Sequence, residues 1–272
     1  MSMVKKQLSW FSIFKIVLSV YAVTGIVLWH LQEKVLFHPT PLSSHDTFEF
    51  EQPFREYLLP VSDNSRLSIV RFFPADTLHK KGVVLYFHGN RENINRYARF
   101  AEDFTSVGYE VWMMDYPGFG KSTGSLTEER LYKDADIIYR MAAGSVSSDS
   151  ILIYGKSLGT GIAAELASRR NCKRLILETP YYSIPALAWF HFPLFPVKQM
   201  LRYEFPTYAS LPRVKAPVTI FQGTRDRIIP YRHAKKLLPL LKKEDEFVTI
   251  EQGNHNNLSD FPYYRLKLRA VL

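Results

Sequence analysis

The sequence predicts an α/β protein with a mainly parallel sheet of eight strands and helices on both faces of that sheet. Short apolar runs alternate along the chain with segments of helical spacing, the pattern of strands joined by crossover helices. Several runs, such as Gly82–Phe87, are apolar at every position, which is typical of a strand covered on both sides. Of the 272 residues, 46% are hydrophobic, which is enough for the core of one large domain.

The predicted strands share continuous or alternating apolar character and are bounded by turn residues. They are residues 48–59, 67–73, 82–87, 109–114, 150–153, 174–177, 218–221 and 247–250. Helices are predicted over 96–107, from Thr127 to about Ala143, and directly after Ser157.

Residues 181–210 interrupt the alternation of strand and helix. The stretch is rich in Tyr, Trp and Phe, and five prolines lie from Pro180 to Pro206, so a long helix is excluded. We expect an aromatic lid insertion at about 181–210, above the carboxyl ends of the strands, where open α/β sheets bind ligands.

Residues 8–31 form one strongly apolar segment. It is long enough to span a bilayer if Lys15 extends its ammonium group towards the head groups. Trp10 and Trp29 would then mark the two interfaces. We therefore expect one transmembrane helix within residues 1–35, acting as a membrane anchor, and a globular domain over 36–272.

The orientation of this anchor follows from the lysines that precede it. Lys5 and Lys6 favour a cytoplasmic N-terminus, which predicts a single-pass protein with its globular domain on the non-cytoplasmic side. A cleaved signal segment, cut near Ala22, is the alternative and would give a secreted or periplasmic protein. The apolar run continues to Trp29, which favours the uncleaved anchor.

Composition excludes several classes of function. The net charge of +9 suits contact with anionic lipid, but no module interleaves basic and aromatic residues as nucleic-acid-binding domains do. Cys172 is the sole cysteine, which excludes an intramolecular disulfide, and no H-E-x-x-H or paired-cysteine pattern is present. We therefore predict no nucleic-acid partner, no metal and no cofactor, and the oligomeric state stays open.

A G-x-S-x-G pattern lies between a predicted strand and a predicted helix. Gly155 and Gly159 flank Ser157 where a Cβ atom would crowd a sharp turn. Such a turn can hold a serine oxygen out at the end of a sheet, so Ser157 is the candidate nucleophile.

A serine nucleophile needs a base, and the base needs an orienting acid. Asp226 and His255 each follow a predicted strand and therefore lie at the same sheet edge as Ser157. His255 would take the serine proton, and Asp226 would fix the imidazole tautomer. Asp245 and Asp260 are weaker candidates, because Asp245 precedes its strand and Asp260 follows the histidine.

An oxyanion hole requires two backbone donors. The N–H of Leu158, directly after the serine, is one candidate, and the N–H of Asn90, in the loop after the third strand, is the other. Gly89 would let that loop approach closely. His88 is expected to have a structural role in the same loop.

These motifs resemble the α/β-hydrolase superfamily. The resemblance covers residues 48–270 and includes Phe87-His88-Gly89-Asn90, the loop at 115–122, the serine pattern, Gly223-Thr224-Arg225-Asp226 and Gly253-Asn254-His255. It implies an eight-stranded hydrolase sheet and is similar to the small, membrane-tethered branch. Relatives there are acylprotein thioesterases, monoacylglycerol lipases or serine aminopeptidases, although the cysteine-rich N-terminus of the depalmitoylating members is absent.

The expected activity is hydrolysis of a carboxylic ester or thioester through an acyl-enzyme, with a small or lipid-like acyl substrate. A serine peptidase or aminopeptidase and an acyltransferase are alternatives, because the same three side chains serve all of them. A non-catalytic binding protein on the same fold is the alternative from a different class.

Overall fold

The structure is a computed structural model that describes residues 9–62 and 64–272. Lys5, Lys6 and Leu8, which entered the predicted orientation and start of the apolar segment, lie outside the described residues. Over the described chain, an eight-stranded mixed sheet carries helices on both faces, which confirms the predicted fold class.

We number the strands of this sheet in chain order. They are β1 Phe54–Ser62, β2 Ser65–Phe72, β3 Gly82–Phe87, β4 Tyr109–Met114, β5 Ile151–Lys156, β6 Arg174–Glu178, β7 Val218–Gly223 and β8 Glu246–Ile250. Their order across the sheet is β8-β7-β6-β5-β3-β4-β2-β1. Only β2 runs antiparallel to both of its neighbours, so the carboxyl ends of β3 and β5–β8 meet at one edge.

The helices of eight or more residues are numbered in the same way. They are α1 Trp10–Leu36, α2 Glu128–Ala143, α3 Gly159–Arg169, α4 Ile184–His191 and α5 Pro262–Val271. Shorter α-helices cover Ile94–Tyr97, Glu102–Thr105, Val197–Met200, Thr207–Ser210 and Tyr231–Ala234. The predicted start of α2 is confirmed, because the Thr127 side chain accepts a hydrogen bond from the backbone N–H of Arg130 and so caps the helix.

The predicted helix over 96–107 is not continuous. It consists of two short α-helices joined by a 3₁₀ turn at Ala98–Phe100. A 3₁₀ turn has three residues per turn, so it keeps Tyr97 and Phe100 on one face, where both are buried. The continuous helix was therefore a wrong prediction, whereas its apolar face was right.

The first strand also begins later than its apolar pattern suggested, at Phe54 instead of residue 48. Pro53 precedes it and has no N–H to donate to a ladder. Phe50 instead packs edge-on against Phe72 of β2, with ring centroids 5.1 Å apart.

Alternating side chains of β5 belong to two different cores. Ile151 and Ile153 pack with the layer that contains α2 and α3, while Leu152 and Tyr154 pack with the layer that contains α5. All four are buried. The strand that precedes Ser157 is therefore held from both sides, which fixes the position of its carboxyl end.

Close packing between β5 and α3 requires a glycine at position 155. A Cβ atom there would lie 2.5 Å from the Gly159 carbonyl oxygen and 2.7 Å from the Ala163 Cβ. We predict that Gly155→Ala lowers the free energy of unfolding by about 1–3 kcal/mol, because backbone and a short side chain cannot move aside as a flexible chain could. Urea unfolding followed by far-ultraviolet circular dichroism measures the change.

Gly144→Ala is the matched control. Gly144 caps α2 with a φ of −74°, and an added Cβ there would lie 3.5 Å from the carbonyl oxygens of Arg140 and Met141, which is an ordinary contact distance. We expect this variant to be neutral or slightly stabilising. Equal urea midpoints for Gly155→Ala and Gly144→Ala would contradict the requirement for a glycine at position 155.

Candidate active site

Ser157 occupies a sharp turn between β5 and α3. Its φ of 51° lies in the left-handed region, which a residue with a Cβ atom adopts only when its surroundings require it. Two hydrogen bonds hold the turn: the Ser157 N–H donates to the Glu178 carbonyl at 2.9 Å, and the Thr160 N–H donates to the Ser157 carbonyl at 2.9 Å. The side-chain oxygen is thereby presented at the edge where the parallel strands end.

The loop after β3 passes directly beside this turn. A Cβ atom on Gly159 would overlap the Phe87 carbonyl oxygen, and one on Gly89 would lie 3.6 Å from the Ser157 Cβ. The glycine at 159 therefore lets the loop after β3 pass close to the serine turn, whereas a Cβ at 89 would make only an ordinary contact with Ser157.

The structure brings His255 and Asp226 to Ser157. His255 follows β8, and its Nε2 lies 2.9 Å from the Ser157 Oγ. Its Nδ1 lies 2.8 Å from Oδ2 of Asp226, which follows β7. All three side chains are less than one-tenth exposed. Residues separated by 98 positions thus form one continuous hydrogen-bonded chain.

The Asp226 carboxylate is held in a fixed plane. Its Oδ1 accepts hydrogen bonds from the backbone N–H groups of Ile228 and Ile229, each at 2.9 Å, and its Oδ2 also accepts from Gln222 Nε2 at 3.2 Å. A carboxylate can only accept, so His255 Nδ1 must carry the proton. The lone pair of Nε2 then faces the serine hydroxyl, as proton removal requires.

The two weaker acid candidates lie elsewhere. Asp245 accepts hydrogen bonds from the backbone N–H groups of Val218 and Lys242, both at 2.8 Å, and so ties down the start of β7. Asp260 is exposed in a 3₁₀ turn. Neither contacts the Ser157–His255 pair.

The predicted oxyanion donors, Asn90 and Leu158, line the same cavity as Ser157. The loop at Asn90 is fixed by a segment that sequence reasoning had not connected to it. Asn90 Nδ2 donates to the Leu36 carbonyl at 2.7 Å, and the Asn90 carbonyl accepts from the His38 N–H at 2.8 Å. The end of α1 therefore sets the position of this loop.

Comparison with known proteins agrees with this arrangement of strands and turns. The family model for serine aminopeptidases, S33, matches residues 79–208. Uncharacterized protein Rv2307c of Mycobacterium tuberculosis is 25% identical over 238 residues, 86% of this chain and 84% of that protein. Alpha/beta hydrolase domain-containing protein 17C of Mus musculus is 28% identical over 194 residues, 70% of this chain but 59% of that protein.

Solved structures share the fold at low sequence identity. The esterase PF2001 of Pyrococcus furiosus superposes with a TM-score of 0.68 and 16% identity, covering 87% of this chain and 97% of the esterase. Est1E of Butyrivibrio proteoclasticus, solved with ferulic acid, gives 0.57 and 19%, covering 76% and 93%. The chain has the α/β-hydrolase fold, and its sequence is similar to that of α/β hydrolases. It is a hydrolase of that kind, and the bond that it cleaves is treated below.

His88 and Cys172 are two reactive residue types outside the hydrogen-bonded chain of this α/β hydrolase. His88 is fully buried, stacks on Tyr97 with centroids 4.8 Å apart, and contacts the Gly89 carbonyl through Nδ1 at 2.7 Å. His88 therefore supports the loop that contains Asn90. Burial raises the pKa of the Cys172 thiol to about 12, which makes it a poor nucleophile.

A buried ion pair lies directly beneath the serine turn of this hydrolase. Lys156, the last residue of β5, contacts Glu178 at the end of β6, and both side chains are almost fully buried. The hydroxyl groups of Tyr154 and Tyr264 also donate to this carboxylate. Sequence reasoning missed the pair, although Lys156 is the first variable residue of the G-x-S-x-G pattern and a lysine at a strand end was a visible signal.

The charge of Glu178 is stabilised by its partners. Burial alone would raise the pKa of Glu178, but Lys156 and the two tyrosine hydroxyls lower it below its ordinary value. The same residue accepts the backbone hydrogen bond from Ser157. The ion pair therefore supports the peptide that positions the serine.

An apolar cavity of about 240 Å³ opens in front of Ser157. Its walls come from three parts of the chain: the last turns of α1, the segment from Tyr181 to Leu201, and residues 228–229 after Asp226. Among the cavity-lining residues that the structure describes, none is a carboxylate and the few polar side chains include Gln32 and His191. An apolar group can therefore reach the serine oxygen without leaving a buried charge unpaired.

We predict that Glu178→Gln lowers the free energy of unfolding by about 3–5 kcal/mol, because it leaves the Lys156 ammonium buried without its counter-charge. Replacing both partners, as Lys156→Met with Glu178→Gln, is expected to recover most of that loss. Urea unfolding at neutral pH measures the three free energies.

The pH dependence provides the control. Because its folded-state pKa is lowered, Glu178 contributes stability above the unfolded carboxyl pKa of about 4.3, and that contribution disappears as the pH falls through the folded-state value. We expect the wild type to lose this stability in acid. The double variant has no carboxylate at position 178, so its stability should not show this decrease. If the free energy of unfolding fell by the same amount in acid for the wild type and the double variant, Glu178 would not be the residue that stabilises the fold above this pH.

Proposed function

We propose that this α/β hydrolase is a serine hydrolase that cleaves a carboxylic ester or thioester through an acyl-enzyme. One observation carries the proposal: Asp226, His255 and Ser157 form a hydrogen-bonded chain whose serine end faces an apolar cavity. The strained backbone at Ser157 supports it, since such strain persists where a side chain must be held in one position.

In the acylation step, the Ser157 oxygen attacks the substrate carbonyl carbon while its proton moves to His255 Nε2. The negative charge that develops on the carbonyl oxygen is stabilised by the N–H groups of Leu158 and Asn90. Collapse of the tetrahedral intermediate breaks the bond to the alcohol or thiol, which leaves with the proton from His255. Asp226 stabilises the imidazolium that exists between these two transfers.

In the deacylation step, water replaces the departed alcohol or thiol. His255 removes one proton from the water, and the resulting oxygen attacks the acyl-enzyme carbonyl. The bond to Ser157 then breaks, the serine oxygen regains a proton from His255, and the carboxylic acid leaves. His255 and Asp226 return to their starting protonation states after each step, and Ser157 regains its hydroxyl proton at the end of deacylation.

The cavity favours an acyl group over a peptide. An aminopeptidase must bind the ammonium group of its substrate, and a buried ammonium requires an acidic or polar partner. The described residues that line this cavity include no carboxylate, while most are apolar or aromatic. An ester or thioester of an apolar acid fits this lining better.

We further propose that α1 anchors the enzyme in a membrane and is not removed. It has 27 residues and is apolar enough to cross a bilayer, and its apolar side chains are exposed. From Tyr21 onwards it contacts the catalytic domain: Tyr21 stacks on Phe195 at 4.8 Å, and Gln32 hydrogen-bonds to residues 200 and 202. Cleavage near Ala22 would remove part of these contacts. The sequence-based orientation, with the domain on the non-cytoplasmic side, is part of this proposal.

We predict that Ser157→Ala abolishes both hydrolysis of p-nitrophenyl butyrate and labelling by a fluorophosphonate probe. Asp226→Asn should lower kcat by about 10³–10⁴, because an amide can donate to Nδ1 and so favour the wrong imidazole tautomer. Asp260→Asn is the matched control, since this exposed carboxylate lies outside the hydrogen-bonded chain, and we expect wild-type rates.

Retention of the wild-type rate by Ser157→Ala would reject Ser157 as the nucleophile. A folded wild-type enzyme that neither reacts with the probe nor cleaves any ester in a chain-length series would favour a binding protein on the same fold.

A further inference from the structure

We propose that α1 is one wall of the acyl-binding site, so that the enzyme takes substrates with a single long acyl chain directly from the leaflet around α1. This inference rests on the proposed function and goes beyond it, because it assigns substrate selection to the helix that the sequence marks only as an anchor. Four residues of α1 line the cavity in front of Ser157: Leu28, Gln32, Val35 and Leu36.

The opposite wall of the cavity comes from the lid. Ala188 of α4 lines it, as do Phe192, Phe195, Met200 and Leu201 from the segment that follows α4. The cavity therefore lies along a seam between α1 and residues 192–201, which we call the α1–lid seam. Any chain that extends from Ser157 into this cavity runs along the helix.

Gln32 fastens the two walls together. It is 6% exposed, its Nε2 donates to the carbonyls of Met200 at 3.2 Å and Trp29 at 2.8 Å, and its Oε1 accepts from the Arg202 N–H at 2.8 Å. Arg202 adds a contact to Glu33 at 3.5 Å and lies 5.5 Å from the ring centre of Trp29. Buried hydrogen bonds of this kind are costly to break, so Gln32 is a positioning residue for the seam.

The position of the seam relative to a bilayer follows from helix geometry. Trp10 and Trp29 are 19 residues apart, about 29 Å along an α-helix and close to the thickness of the hydrocarbon core. Tyr21, which stacks on Phe195 and donates to the Leu194 carbonyl at 2.9 Å, lies about 12 Å from Trp29 towards the membrane centre. The tip of the lid thus lies at the depth of the acyl chains.

The side chains on the surface of that tip are apolar and exposed, as contact with acyl chains requires. Leu194 is 79% exposed, Trp189 58% and Phe192 41%. In water, such side chains form an apolar patch without cover, whereas continuity with the exposed apolar face of α1 identifies acyl chains as the occupant.

The two ends of the cavity orient the substrate. Ser157, Asn90 and Leu158 mark the reactive end, where Asn90 bonds to Leu36, and Leu28 and Phe195 mark the end towards the membrane, where Phe195 stacks on Tyr21. Leu28 is next to Trp29, so the end of the cavity away from Ser157 lies near the interface and the acyl chain extends from the serine towards apolar surroundings. The volume of about 240 Å³ is below the usual range for drug-sized sites and favours one chain over two.

The first experiment narrows the cavity from the side that α1 forms. Leu28→Trp places a larger ring at the cavity, and Val27→Trp is the matched control, because Val27 is 46% exposed and does not line the cavity. Full-length protein in phosphatidylcholine nanodiscs is assayed with p-nitrophenyl esters from acetate to palmitate. We expect Leu28→Trp to lower the ratio of palmitate to butyrate kcat/KM about tenfold, since roughly two methylene groups lose their site. Val27→Trp should keep the wild-type ratio.

A ratio is independent of the fraction of folded enzyme, so partial misfolding does not obscure this result. Leu28→Ala widens the same wall and is expected to move the optimum to longer chains. An unchanged chain-length profile in both Leu28 variants would overturn the wall assignment. Absence of butyrate cleavage and probe labelling in the wild type would instead reject the proposed function.

The second experiment tests entry from the leaflet. Leu194→Asp charges the lid tip, and Leu78→Asp is the matched control, since Leu78 is 88% exposed in the loop between β2 and β3. Long-chain ester is supplied within vesicles, and butyrate is supplied in water. We expect Leu194→Asp to lower the rate on the vesicle-held ester about tenfold, because a carboxylate at acyl-chain depth is unfavourable, and to leave the butyrate rate unchanged. Equal vesicle rates for both variants would show that substrates arrive through water and would overturn leaflet entry.

Discussion

The left-handed backbone at Ser157 is the constraint on which the rest of the site depends. A serine adopts that conformation only when its neighbours leave no other, and here β5 is packed from both layers while α3 begins two residues later. The buried Lys156–Glu178 pair and the bond from Ser157 to the Glu178 carbonyl fix the peptide from below. With the turn in place, the loops after β7 and β8 need only deliver one carboxylate and one imidazole.

Much of this fold could be predicted because its signals are local. Continuous apolar runs located the buried strands, and their central positions agree with the structure even where a boundary such as Pro53 shifted the start. The helix over 96–107 was predicted as continuous, because its apolar spacing is the same whether the backbone is α or 3₁₀ at Ala98–Phe100. Spacing reports which face is buried and does not report the hydrogen-bond pattern.

The sequence identified the three central residues of the candidate site but not the contacts that support them. Ser157, Asp226 and His255 were recognisable because each follows a strand of a parallel sheet, and parallel strands end at one edge. Their catalytic roles stay a prediction, although the structure holds them within hydrogen-bond distance. The Lys156–Glu178 pair and the bond from Asn90 to Leu36 were not predicted, because the motifs that contain Lys156 and Asn90 do not indicate their partners, which are distant in sequence.

The bonds of Gln32 also limit how the catalytic domain can move. A domain on a flexible tether samples many tilts above a surface, but a helix bonded to Met200 and Arg202 holds the domain at one tilt and one height. Under the proposed anchoring, the enzyme and its substrate would then meet by diffusion in two dimensions. Turnover would follow the mole fraction of substrate among the surrounding lipids, and diluting the membrane with inert lipid would slow the reaction even at constant bulk concentration.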